Sequence, residues 1–230
     1  MLLCARSYMR KVRPVAAVRT VFIDTQSTPN PHSMKFLPGK IVLEEEMGTG
    51  MYFQQGSKAE IKKSPLAKEL FKVDGVKGVF LGREFITITK KSDDVWNVLK
   101  PQIFSAILDW YSSGTPAVVA QEEGRVSDTA ILDTDNEVVA TIKELMETRI
   151  RPAVQDDGGD IFLEGFDADT GIVKVRLAGS CVGCPSSTAT LRGGVENMLK
   201  HYVPEVKGIQ DVTDHKENQD EPLVLRHKQD

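Results

Sequence analysis

Cysteine is scarce in this 230-residue sequence, and long apolar segments are absent. The three cysteines, Cys4, Cys181 and Cys184, are too few for a disulfide-stabilised scaffold. No apolar run approaches the roughly 18 residues that are needed to cross a bilayer. Basic residues are not in excess either, and the net charge of −4 disfavours a general nucleic-acid binder. We therefore expect neither a membrane nor a nucleic acid among the partners of this protein.

The beginning of the chain contains no acidic residue before Asp24. The basic residues of this segment are Arg6, Arg10, Lys11, Arg13 and Arg19. They interrupt every stretch that could serve as the apolar core of a secretory signal. An arginine-rich, acid-free start is typical of a mitochondrial transit peptide, so residues 1–20 are predicted to direct the protein to the mitochondrial matrix. Loss of this leader would also remove Cys4.

A first domain is predicted over residues 21–113. Ser64 and Pro65 form an N-cap followed by a first-turn proline, which indicates the start of a helix. Gly82-Arg83-Glu84 separates two apolar runs and indicates a hairpin. Glycines and mixed polar residues favour a loop over residues 44–63. The predicted elements in chain order are a strand from Phe22, a strand at Met34–Leu37, a helix at Pro65–Phe71, the hairpin strands Val76–Leu81 and Phe85–Thr89, and a helix that begins at Pro101.

A linker is predicted over residues 114–133, because polar residues prevail there without a sustained apolar period. A second domain follows over residues 134–212, and a charged flexible tail over residues 213–230. Thr134-x-x-Glu137 has the pattern of a capping box at a helix start, and Arg151-Pro152 ends or kinks that helix. The order of elements is α-β-β-α-β. The predicted fold class is therefore α+β, with two small α+β domains joined by a flexible linker.

Cys181 and Cys184 lie between a strand and a helix of the second domain. Gly183 allows a tight turn between them, and Pro185 suits the first position of the following helix. The N-terminus of a helix offers free N–H groups and a partial positive charge, which favour thiolate over thiol. Thiolates are soft ligands that select zinc, copper(I) or iron–sulfur clusters.

Four interpretations of this C-x-x-C pair stay open on spacing alone: an iron–sulfur cluster site, a structural zinc site, a redox dithiol, or an incidental pair. A cluster or a structural zinc ion commonly takes four protein ligands, whereas the chain without its leader offers two cysteines. The histidines without a metal-site spacing from these cysteines are His32, His201, His215 and His227. A cluster held by two cysteines therefore needs a second chain.

Two other kinds of chemistry fit the sequence less well. In a thioredoxin-like motif the proline usually lies inside the C-x-x-C, and most of the fold follows it. Here Pro185 follows the motif, and too little chain remains for that architecture. Asp156, Asp157 and Asp160 lack the spacing and the closing glutamate of an EF-hand, so they predict a turn and not a calcium site.

Several segments resemble the C-terminal domain of NifU and of the Nfu-type iron–sulfur scaffolds. They are Glu147–Pro152 (ETRIRP), Asp156–Asp160 (DDGGD) and Gly179–Ser187 (GSCVGCPSS). Thr28–Pro31 through Lys35-Phe36, together with Gly82–Thr89, is similar to the N-terminal domain of the mitochondrial members. The resemblance covers residues 21–212, with both domains in order.

The resemblance implies a late-acting mitochondrial carrier of a [4Fe–4S] cluster, with [2Fe–2S] as the alternative, bridged between two protomers. By matching position, Cys181 and Cys184 are the cluster ligands. No catalytic residue carries over, because the family acts as a scaffold and not as an enzyme. The implied partners are a second copy of the chain, upstream assembly factors, and apo-proteins such as lipoate synthase and respiratory-complex subunits. A dithiol redox protein is the alternative function, and a zinc-bridged adaptor is a third.

Overall fold

The computed structural model describes residues 22–44, 47–119, 127–182 and 185–213. The predicted transit peptide lies outside this part of the chain, as do the middle of the predicted linker and nearly all of the predicted tail. Among the described residues, no helix combines the length and the apolar character that a membrane span requires.

The first domain is built on an antiparallel sheet with the strand order β1-β2-β5-β4-β3. The strands are β1 Asp24–Ser27, β2 Ser33–Leu37, β3 Gly50–Gln54, β4 Val76–Gly82 and β5 Ile86–Lys90. The predicted hairpin is confirmed, because Leu81 of β4 pairs with Ile86 of β5 beside the turn. A glycine is required at the start of β3, since a Cβ on Gly50 would lie 2.3 Å from the ring of Phe80.

Helices α1 Lys58–Ile61, α2 Pro65–Leu70 and α3 Trp96–Ser113 complete the first domain. Ser64 caps α2 as predicted, since its Oγ accepts a hydrogen bond from the N–H of Ala67 at 3.0 Å. The same hydroxyl donates to the carbonyl oxygen of Ala117 at 2.6 Å. Buried aliphatic side chains from α2 and α3 form one apolar core with the sheet, among them Leu66, Leu70, Ile103 and Ile107.

The second domain has the predicted order α-β-β-α-β. Its elements are α4 Glu137–Leu145, one π-helical turn at Met146–Ile150, α5 Arg151–Asp156, β6 Gly159–Asp167, β7 Ile172–Gly179, α6 Pro185–Tyr202 and β8 Gly208–Asp211. The central strand β7 pairs antiparallel with β6 and parallel with β8. The first helix is interrupted and not ended at Pro152, which has no N–H to continue the α-helical ladder. The predicted α+β fold class is confirmed.

The two domains contact each other through the face of the first sheet that α2 and α3 do not cover. Phe80 and Phe85 form a small buried cluster there with Ala178 of β7. The rings of Phe80 and Phe85 are 5.8 Å apart between centroids. Both faces of β4 and β5 are therefore buried, one by helices of the same domain and the other by the second domain.

Two predictions for the first domain are wrong. The segment 44–63, which was expected as a loop, contains β3 and α1. Helix α3 begins at Trp96 and holds Pro101 in its interior. The turn before the proline is stabilised by packing, because Leu99 is buried in the core, and tertiary contacts of this kind outweigh the proline signal.

Two predicted element starts are displaced by two residues. The strand expected from Phe22 begins at Asp24, and the side chain of Phe22 is 84% exposed. The helix expected from the Thr134 box is capped by Asn136, whose Oδ1 accepts from the N–H of Val139 at 2.8 Å. Asparagine is as good an N-cap as threonine, so the later residue determines the start.

Replacement of Ser64 by alanine is expected to lower the free energy of unfolding by about 1–3 kcal/mol, because it removes the α2 cap and leaves the Ala117 carbonyl without its donor. Chemical denaturation checks this value. Ser57→Ala is the matched control, since Ser57 is the N-cap of α1 but makes no capping bond with its side chain. Equal losses for the two variants would contradict the structural role of Ser64.

Candidate functional site

The loop that follows β7 is held by a second turn that precedes β6. We call residues 179–182 the Cys181 loop. The N–H of Ser180 donates to the carbonyl oxygen of Gly158 at 3.3 Å, and Ser180 Oγ donates to that of Asp157 at 2.7 Å. Gly179 adopts a φ of +68°, and a Cβ on it would lie 2.8 Å from the oxygen of Gly158. The two turns can approach this closely only because glycine is present.

Cys181 points into the protein, and only 5% of its surface is exposed. Its sulfur packs against Gly159, where an added Cβ would lie 2.4 Å from Sγ. Burial raises the pKa of Cys181 to about 12, and three nearby aspartates act in the same direction. Ser180, with its Oγ 3.9 Å from Sγ, opposes this rise. The thiol form is favoured in this arrangement.

The sequence-based expectation that the helix N-terminus favours a thiolate is wrong for Cys181 in this conformation. Burial disfavours the thiolate of Cys181, because a charged sulfur loses its water inside the protein. Helix α6 does begin at Pro185, as predicted. Cys184 lies outside the described residues, so its role as the second ligand stays a prediction.

No group of three or more histidine, cysteine, aspartate or glutamate side chains is arranged to hold a metal within the described ranges. His32 Nδ1 lies 3.5 Å from the Lys90 ammonium, and the ring of His201 packs edge-on against Tyr202. His215 and His227 lie outside those ranges. A complete set of four ligands is therefore not available from the described part of one chain.

A buried guanidinium lies next to the site. Arg151 is 2% exposed, and its Nη2 donates to both carboxylate oxygens of Asp128 at 2.7 Å. Its Nη1 donates to Glu147 and, at 3.0 Å, to Thr129 Oγ1. Its Nε lies 3.3 Å from an oxygen of Asp160. Arg151 thus ties residues 128–129, which precede the second domain's first helix, to the start of β6.

Asp160, at the start of β6, is fully buried. Burial raises the pKa of Asp160, whereas Arg151 and the N–H of Ile161 act to lower it. The Asp160 carboxylate accepts from that N–H at 2.8 Å. The predicted turn is limited to Asp157 and Gly158, since Asp156 ends α5 and Gly159 begins β6.

Asn30 of the first domain reaches the Cys181 loop. Its side-chain nitrogen donates to the carbonyl oxygen of Ser180 at 3.0 Å and to that of Val182 at 3.3 Å. Its side-chain oxygen accepts from the N–H of His32 at 2.9 Å, which fixes the side chain on its own turn. One side chain therefore bonds to the carbonyl oxygens of the residues before and after Cys181.

Lys35 makes a second polar contact between the domains. Its ammonium donates to the carbonyl oxygens of Gln155 at 2.9 Å and Asp156 at 3.3 Å, and lies 4.4 Å from the centroid of the Phe85 ring. Burial lowers the pKa of Lys35, and the carboxylates of Asp156 and Asp157 oppose that change.

Sequence reasoning identified Cys181 but missed Asn30 and Lys35. Asn30 lies in a Pro-Asn-Pro turn, which is ordinary turn chemistry, and its partner Ser180 is 150 residues away. Arg192 of α6 donates to the carbonyl oxygen of Ile209 at 3.3 Å. No local sequence pattern predicts these contacts.

Comparison with protein families gives two matches along the chain. Residues 23–114 match the family described as "Scaffold protein Nfu/NifU N terminal". Residues 142–210 match the family described as "NifU-like domain". The Cys181 loop and the turn that holds it both lie in the second match, whereas Asn30 and Lys35 lie in the first.

Curated relatives resemble the chain over most of its length. "NifU-like protein 5, mitochondrial" from Arabidopsis thaliana is 51% identical over 93% of this chain and 76% of its own length. "NFU1 iron-sulfur cluster scaffold homolog, mitochondrial" from Homo sapiens is 49% identical over 89% of this chain and 77% of its own. The solution structure of a NifU-like protein from Saccharomyces cerevisiae is 24% identical, with a TM-score of 0.41, over 52% of this chain and 97% of that one.

Replacement of Gly159 by alanine is expected to displace the Cys181 side chain, because the new methyl group would overlap Sγ. The free energy of unfolding should fall by about 1–3 kcal/mol, as in other overpacked interiors. Alkylation of Cys181, followed by peptide mass spectrometry on metal-free protein, should become faster. Gly194→Ala is the control, since a Cβ there has no neighbour within 4 Å. An alkylation rate equal to that of the unmodified chain would contradict the inferred overlap.

Proposed function

We propose that this chain, which belongs to the NifU-like (Nfu) scaffold family, receives an iron–sulfur cluster and passes it to other proteins in mitochondria. The observation that carries the proposal is the Cys181 loop, which lies between β7 and α6 in the part of the chain that matches the NifU-like domain. The mitochondrial location predicted from the basic leader agrees with the names of the relatives.

Cys181 and Cys184 are the proposed ligands. Sulfur is the donor that iron–sulfur clusters take, and the described residues offer no further group of metal ligands beside Cys181. Two cysteines fill half of a four-thiolate set, so a second protomer supplies the rest and the cluster bridges a homodimer. We propose a [4Fe–4S] cluster as the cargo; [2Fe–2S] has the same thiolate requirement.

Transfer proceeds by ligand exchange and requires no change in oxidation state. A cysteine thiol of the receiving protein loses its proton and forms a bond to iron, while the bond from iron to Cys181 or Cys184 breaks. The released sulfur takes up a proton, and at Cys181 burial in the metal-free protein favours this protonation. No step requires a catalytic residue of this chain, in agreement with relatives that are named as scaffolds.

The proposed partners follow from this exchange. Upstream assembly factors deliver the cluster, and apo-proteins with empty cysteine sites accept it. The family resemblance suggests lipoate synthase and subunits of the respiratory complexes as receivers. The dithiol redox alternative is less well supported by the site, because a pKa of about 12 leaves Cys181 a poor nucleophile in this conformation.

Anaerobic reconstitution with iron and sulfide is expected to give about two irons and two sulfides per chain, since four iron atoms are shared by two protomers. Iron analysis, Mössbauer spectroscopy and size determination on the same sample check this ratio. Cys181→Ser and Cys184→Ser should each lose the cluster and the dimer. Cys4→Ser is the matched control and should keep both.

Three outcomes would contradict the proposal. The first is unchanged iron content in both site variants. The second is a strictly monomeric loaded form. The third is a colourless protein that holds one zinc per two chains, which would favour the zinc adaptor. Reduction of insulin disulfides by metal-free protein at a rate lost in the Cys181 variant would favour the dithiol alternative.

A further inference from the structure

The contact between the two domains centres on the two turns that form the site. A Cβ on Gly158 would lie 3.0 Å from Thr28 Cγ2 and from Thr87 Oγ1 of the first domain. A Cβ on Gly179 would lie 3.1 Å from the ring of Phe80. These glycines allow the turns to press against the first sheet as closely as they press against each other.

The polar side chains in this contact are buried and hydrogen-bonded. Asn30 is 1% exposed and Lys35 is 7% exposed, yet their side-chain nitrogens donate to backbone oxygens of the second domain. The acceptors are the carbonyl oxygens of the two residues that flank Cys181 and of the last two residues of α5. A buried donor aimed at a specific carbonyl makes an interface selective, because a different partner would leave that donor unpaired.

The bonds from Asn30 constrain what Cys181 can do. A bridged cluster requires the sulfur to face a second protomer, but here the sulfur faces Gly159. Moving the loop backbone outward would displace the carbonyl groups beside Cys181, and Asn30 holds the oxygens of both Ser180 and Val182. The loop conformation in which Cys181 is buried and the contact with the first domain therefore stabilise each other.

We propose that the face of the first domain formed by Thr28, Asn30, Lys35, Phe80 and Phe85, here called the docking face, is an interaction surface for the chain's own Cys181 loop. In the metal-free protein the docking face binds that loop and keeps the Cys181 side chain buried. The docking face releases the loop when a second protomer and a cluster bind the loop instead. This proposal rests on the proposed function, since only a shared cluster requires the loop to open.

The sharpest variant is Asn30→Asp. It keeps the oxygen that accepts from His32, so the turn is preserved, but it replaces the donor nitrogen by an oxygen facing two carbonyls. In metal-free full-length protein, alkylation of Cys181 should become about tenfold faster, which corresponds to about 1.4 kcal/mol. Lys35→Met should act in the same direction. Asn97→Asp, an exposed change of the same charge on α3, should leave the rate unchanged.

Docking itself can be measured without a cluster. A zero-length carbodiimide joins an amine to a carboxylate, and the carboxylates of Asp156 and Asp157 lie close enough to Lys35 to act on its charge. Peptide mass spectrometry of the metal-free chain should find this cross-link. Its yield should fall in Asn30→Asp and also in the reconstituted wild-type protein. Asn30→Asp should load iron faster and reach the same final content.

The failures of the two proposals are distinguishable. Absence of the cross-link in the metal-free wild type, or equal alkylation of wild type and Asn30→Asp, overturns docking while leaving iron binding intact. An unchanged cross-link yield after loading overturns release. A cross-linked protein that binds no iron refutes the proposed function instead, and with it the role assigned to the docking face. Circular dichroism of each variant confirms that it is folded.

Discussion

The structure of the site depends on the absence of side chains where two turns meet. Gly158 precedes β6, Gly159 begins it, Gly179 ends β7, and the antiparallel pairing of these strands brings the turns together. The backbone oxygen of Gly158 and the sulfur of Cys181 occupy the space that Cβ atoms would need. The position of the sulfur is thus set by van der Waals exclusion, and hydrogen bonds from Ser180 then fix the backbone around it.

The buried guanidinium of Arg151 provides a second constraint with a different physical origin. A charged group can remain inside a protein only when its lost hydration is replaced, and here Asp128, Glu147 and Asp160 supply the compensating charge. These carboxylates come from the segment before α4, from the helical region and from β6. One cation therefore orients three parts of the second domain, which helps to keep β6 in place for the turn beside Cys181.

Local patterns predicted the elements that are specified by neighbouring residues. The cap at Ser64, the β4–β5 hairpin and the start of helix α6 at Pro185 all follow from short-range signals. The start of α3 could not be predicted, because the burial of Leu99 decides it. Strand β3 was not predicted, because the glycines in this segment indicated a loop. One of them, Gly50, is required by the Phe80 ring on the paired strand.

The same distinction between local signals and tertiary packing applies to the candidate site. Cys181 was identified by its chemistry and its spacing from a second cysteine, both of which are local. Its burial and raised pKa depend on Gly159 and on the surrounding fold, so the helix argument gave the wrong direction. Asn30 reaches the loop only because the first sheet packs against β7, and no short segment encodes that packing.

Helix α6 contains two adjacent exposed glycines, Gly193 and Gly194, which have no neighbour within 4 Å of a would-be Cβ. Relative to alanine, the pair costs about 2 kcal/mol of helix propensity. Beyond it, Val195 and Leu199 anchor the helix in the core. The energetic coupling between the two halves of α6 is consequently weak, so a rearrangement at the cysteine end need not propagate into the hydrophobic interior.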